Sequence, residues 1–87
     1  MGQVHQLKTV QPFFDAVWNG TKTAEVRIND RDYKVGDLLE LKEYDAVKKK
    51  FGDRIIPALV THVLKPDHLH HWGLRDGFVM LSFKVVA

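Results

Sequence analysis

Lys22, Glu25 and Arg27 fall within a stretch of six residues, inside "GTKTAEVRINDRDYKVGD" at positions 20–37. A lysine and an arginine that converge on one cleft can clamp a phosphate, the arginine with two donors in a fixed fork. A glutamate beside them can hold the cations in place, or accept a hydrogen bond from the exocyclic amine of a base. The same three residues also suit a plain set of ion pairs on a surface strand, which is a common arrangement. Arg31 is a further cation nearby. Asn29 and Asp30 beside it are turn formers by chemistry, whereas no backbone requirement explains an arginine there.

Other side chains widen the list. His5 can carry a proton near pH 7. In a regular strand it faces away from Lys8, so His5 is the better placed of the two to join a site on one face. Glu43 with Glu25 makes a conceivable acid–base pair, and Tyr44 or Tyr33 offers a ring on which a base can stack. Trp18 reads instead as core filler between helix and sheet. His68, His70 and His71 beside Asp67 read as a polar loop, because zinc needs about four convergent ligands and no second cluster supplies them. Lys48, Lys49 and Lys50 read as a solvated hairpin tip, with phosphate contact as the rarer use.

These residues need elements to position them. Residues 4–8 alternate loosely and suggest a first strand. Pro12 suits the first turn of a helix in which Phe13, Phe14, Val17 and Trp18 form one apolar stripe, and Asn19-Gly20 ends it. After Gly20 the period becomes two: Ala24, Val26 and Ile28 point one way, Thr23, Glu25 and Arg27 the other. A Gly36-Asp37 turn leads into a strand over about residues 38–44, and residues 46–53 read as a hairpin-like connection. Residues 54–65 read as a long strand with Pro57 at an edge or bulge, residues 66–77 as a loop with one helical turn at most. The last strand carries Val79, Leu81, Phe83 and Val85 on one face. The expected class is mainly β with one N-terminal helix (α+β): a small barrel of about five strands, closed or nearly so, with a groove between the helix and the strand after it.

Eighty-seven residues are enough for one domain, 1–87, and too few for two cores. The apolar fraction of 45% and charged fraction of 28% are those of an ordinary globular chain. Thirteen basic and eleven acidic residues leave a formal charge of +2, too balanced for indiscriminate binding to polyanions, so any nucleic-acid contact must be local. No apolar run approaches the roughly 18 residues of a membrane span. The absence of cysteine excludes disulfides and thiolate metal sites. The expectation is a cytoplasmic monomer with no membrane contact, no metal and no cofactor; a protein partner is left open, and a third reading makes the charged strand the rim of a protein interface.

Gly20, Lys22, Glu25 and Arg27 reproduce the G-x-K-x-x-E-x-R signature of ASCH domains, small relatives of the PUA RNA-binding fold. Residues 5–45 resemble, nearly end to end, a family of small ASCH-like proteins of unassigned function from bacteria and phages. The likeness is carried by His5, Leu7 and Lys8, by the Asn29-Asp30-Arg31 turn, by Val35-Gly36-Asp37 and by Glu43-Tyr44-Asp45. It implies a PUA-like β-barrel that binds RNA or a nucleotide-like ligand in a helix-lined cleft. The site residues expected on this reading are Lys22, Glu25, Arg27, Arg31, His5, Lys8, Glu43 and Tyr44. The alternative is a hydrolase acting on a modified nucleoside or RNA, as some ASCH relatives resemble hydrolases of an acylated cytidine. Those relatives use a threonine where this chain has Glu25, with Thr21 and Thr23 nearby, and a carboxylate does not replace an alkoxide in acyl transfer.

Overall fold

The computed structural model describes residues 2–86, so the first and last residues of the expected 1–87 domain lie outside the described residues. Six elements follow in order: β1 (Val4–Val10), α1 (Phe13–Trp18), β2 (Ala24–Ile28), β3 (Leu38–Asp45), β4 (Lys50–Leu64) and β5 (Phe78–Val85). They form one sheet in the order β1-β3-β4-β5-β2, curled into a half-barrel. The expected mainly β, five-stranded architecture with one early helix is what the chain adopts. Among the described residues no helix is long and apolar enough to cross a membrane.

Alternation sets which face is buried. His5, Leu7 and Thr9 of β1 turn inward, and the next strand places Leu39 and Leu41 there. Ala58 and Val60 of β4 and Val79, Leu81 and Phe83 of β5 complete that face. Complete burial of each leucine contributes about 2 kcal/mol, and this layer holds the strands in register. β1 runs parallel to β3, while β3–β4, β4–β5 and β5–β2 are antiparallel.

Three expectations are corrected here. Pro57 is on a central strand, not an edge, and the irregularities lie elsewhere, between Lys42 and Tyr44 and between Val60 and His62. The proline is tolerated because its carbonyl accepts from Val86 N–H at the end of the β5 ladder, which puts the missing N–H beyond the last β4–β5 pair, Ala58–Val85. β4 begins at Lys50, so much of the presumed 46–53 connection is strand. Trp18 is 52% exposed. One short helix has room on its buried stripe for Phe14 and Val17 only; Trp18 lies against Phe14 with centroids 6.1 Å apart, its outer side open.

Gly20, at φ 81°, takes the left-handed conformation that turns the chain out of α1 into β2. α1 packs chiefly on β1 and β3. The two edge strands, β1 and β2, therefore face each other across an open seam with no backbone ladder between them.

Candidate functional site

The seam is the site. β2 has an inverted pattern: Val26 and Ile28 are exposed, whereas Glu25 is buried and Lys22 and Arg27 are half-buried. The charged face of this strand turns inward because the barrel has no neighbouring backbone there, and side chains must fill the gap. Glu25, 7% exposed, accepts from Lys22 Nζ through Oε1 at 3.0 Å and from Arg27 Nε through Oε2 at 2.9 Å. A carboxylate removed from water needs such partners on both oxygens. Lys22 also donates to the Ala24 carbonyl. Arg27 Nη2 crosses the seam to the Lys8 carbonyl at 2.9 Å and to Thr9 Oγ1 at 3.3 Å. One arginine thus does between β1 and β2 what a ladder does between paired strands.

A cavity of about 640 Å³ opens along this seam. Leu7, Val10, Phe13 and Phe78 supply apolar wall, and Lys22, Arg27 and Arg31 supply positive charge. Tyr33 is fully buried at its floor. Burial pushes the Tyr33 phenol above its ordinary pKa, against the opposing pull of Arg27 and Arg31, so it remains a neutral hydroxyl. Among the described residues Arg31 pairs with Asp30 alone, at 3.9 Å, and keeps its donors for the cavity. Among the described residues, the Asn29 side-chain oxygen is buried with no hydrogen-bond partner, between two cavity-lining neighbours, Ile28 and Asp30. The expected groove is therefore present but lies between β1 and β2, with α1 contributing Phe13 at one end.

Of the eight expected residues, Lys22, Glu25, Arg27, Arg31 and Lys8 line this cavity. His5 does not line it. Although inward-facing, it is 5% exposed and bonded at 2.8 Å to Asp37, with its ring edge-on to Tyr33 at 4.8 Å. Asp37 also accepts from the backbone N–H groups of Gln3 and Lys34. Burial raises the Asp37 pKa, but these three hydrogen bonds outweigh it and hold the carboxyl below its ordinary value. An ionised carboxylate only accepts, so His5 Nε2 carries the proton in that bond.

Glu43 and Tyr44 line a second cavity of about 380 Å³ instead. Glu43 is there because Arg54 binds it through Nη2 at 2.7 Å and Nε at 3.3 Å, which, with help from Gln11, lowers its pKa. The notion of a Glu25–Glu43 acid–base pair is corrected accordingly: the two carboxylates line different cavities, and each is bound by its own cations. Thr9 belongs to the groove without having been singled out as a binding residue, whereas Tyr33, expected as a ring open to stacking, is buried at the groove's floor. Arg54 is the inward residue on β4 that ties Asp15, Glu43 and the Phe14 and Trp18 rings together. Parity was the available signal for two of them: Thr9 shares a face with Leu7, and Arg54 with Ile56 and Ala58.

A curled β half-barrel whose open seam is bridged by a Lys–Glu–Arg set and backed by a mixed apolar and cationic cavity defines the class of this protein. The chain belongs to the family described as "Domain of unknown function (DUF3850)", which it matches over residues 4–83. It is also similar to an "Uncharacterized 12.9 kDa protein in GpA 3'region" of Escherichia phage P2, with 40% identity over 63 residues. That match covers 72% of this chain and 56% of the phage protein, so the chain spans little more than half of that relative's length.

Proposed function

We propose that the seam groove binds RNA or a nucleotide-like ligand, in the manner of an ASCH domain of PUA-like type. The observation that carries this reading is the pairing, in one cavity of about 640 Å³, of apolar wall with three cationic side chains at its rim. A cavity of that size and mixed lining suits a planar base with its phosphate, since small-molecule sites run from about 300 to 1,000 Å³. Glu25 already neutralises much of Lys22 and Arg27. The free phosphate donors are then Arg31, one N–H of Lys22 and Nη1 of Arg27. The hydrolase alternative finds less support, because the hydroxyl facing the seam, Thr9, is already engaged by Arg27.

The test is a titration with nucleoside 5′-monophosphates and short single-stranded RNAs, followed by NMR shifts. Shifts should cluster on residues 22–33 and the C-terminal half of β1. Arg31→Glu is the informative variant, because it spares the Glu25 network and should weaken binding roughly tenfold or more through loss of charged hydrogen bonds. Shifts scattered over the whole surface, or undiminished affinity in Arg31→Glu, would exclude the reading.

A further inference from the structure

The outer face of the sheet carries a second feature, on the far side of β1 from the groove. Tyr44 of β3 and Phe51 of β4 are cross-strand partners, with ring centroids 4.9 Å apart at 67°. Phe51 is 54% exposed. Two ammonium groups attend these rings: Lys8 Nζ lies 4.3 Å from the Tyr44 centroid and Lys42 Nζ 5.8 Å from that of Phe51. Lys8 and Lys42 are themselves register partners on β1 and β3. The lysine run at 48–50 sits at the tip of the same hairpin. Of the carboxylates at this end, Glu43 is taken by Arg54, Asp45 accepts two backbone N–H groups and Glu40 accepts the amide of Gln6. Asp45 keeps its charge against Lys48 and Lys50, and Glu40 keeps its own, but among the described residues none of Lys8, Lys42, Lys48, Lys49 and Lys50 stands in a direct ion pair.

The geometry points to this face as a platform for single-stranded nucleic acid, with a base stacked on the open side of Phe51 and flanking phosphates on Lys8, Lys42 and the hairpin lysines. Stacking on an exposed ring is tolerant of sequence, and an ammonium already held over a ring costs little to place against a phosphate. Continuity with the groove comes from Lys8. Its carbonyl accepts Arg27 on the seam side while its ammonium rests over Tyr44 outside. β1 is thus a wall one strand thick, and a nucleic-acid chain leaving the groove meets the platform on crossing it. The platform rests on the same ligand chemistry as the groove but on different residues.

The experiment measures anisotropy of a labelled ten-nucleotide RNA of mixed sequence, and in parallel calorimetry with nucleoside 5′-monophosphates. Phe51→Ala should weaken the ten-mer about tenfold, the order of one lost stacked base. Lys42→Gln combined with Lys50→Gln should flatten the salt dependence of ten-mer binding by about 1.4, two phosphate contacts on a single strand. Neither variant should change mononucleotide affinity, because Phe51, Lys42 and Lys50 do not line the groove. Thermal melts check that both variants fold, as their exposed positions lead one to expect. The platform is overturned by ten-mer affinity and salt slope within twofold of wild type in both variants. It is equally overturned by polyglutamate competing as well as RNA, which would mark an acidic-peptide surface, or by parallel loss of mononucleotide binding. Mononucleotide silence with the ten-mer effects intact defeats the groove reading and leaves the platform standing.

Discussion

Glu25 shows how far a residue's role depends on what surrounds it. In isolation it is one charge among many on a polar strand; in place it is a buried anion holding two cations. Glu25→Gln leaves Lys22 and Arg27 facing each other at the seam without their counter-ion. The expected cost is about 3 kcal/mol, the low end for breaking a buried pair because both cations keep some solvent. Urea unfolding measures it, and an unchanged midpoint would show the set to be ornamental to stability. Asp37 offers a second case. Its folded pKa is depressed, so its stabilisation is present above the unfolded value near 4 and is lost as pH falls through the lower folded value. Asp37→Asn should flatten the acid limb of the stability curve below about pH 4, with Gln3 and Lys34 N–H groups left to a weaker acceptor. An acid limb identical to wild type would assign that pH dependence elsewhere.

At the scale of elements, α1 is too short to persist by itself and depends on its moorings. Two side chains are buried, and the rest of the anchorage runs through Arg54, which binds Asp15 at 2.8 Å and lies 5.0 Å from Phe14 and 4.9 Å from Trp18. The hydrogen bond from Gln11, then that from Arg54, lowers the Asp15 pKa, so this mooring weakens in acid as the carboxylates protonate. Arg54→Leu should speed amide exchange across Phe13–Trp18 while leaving β3 and β4 protected. Because Phe13 lines the groove, the same variant should loosen nucleotide binding there. Equal protection of α1 in both proteins would show that Phe14 and Val17 suffice.

The whole molecule is a barrel lacking one ladder. Arg27 spans the gap to β1, and lysine cannot reproduce three directed donors on one flat head. Arg27→Lys should therefore let β2 open first: its amides exchange faster and the 20–23 loop becomes a protease site, with a loss of about 1–2 kcal/mol in global stability. Uniform exchange across all five strands would refute a seam of this kind. The free edge also explains a liability, since Val26 and Ile28 stand exposed on an edge strand. Ile28→Lys should reduce self-association at high concentration and change stability by no more than about 0.5 kcal/mol. Light scattering on the two proteins decides it.

Local chemistry in the chain was sufficient to specify the elements: period-two alternation marked the strands, Gly20 the end of the helix, and Gly36-Asp37 the turn into β3. It also offered Lys22, Glu25, Arg27 and Arg31 as a candidate set, although their spacing alone also suits plain surface ion pairs and the resemblance to the G-x-K-x-x-E-x-R signature tipped the reading. Which face of β2 turns inward was beyond it. Val26 and Ile28 are the apolar side, and any rule of local pattern would bury them; the open seam reverses that choice, since only long charged side chains reach across to β1. Likewise His5 and Glu43 acquired their roles from partners 32 and 11 residues away, Asp37 and Arg54. Pairings of that range are set by strand order and register, which depend on the packing of the whole sheet and have no signature in any short window of sequence.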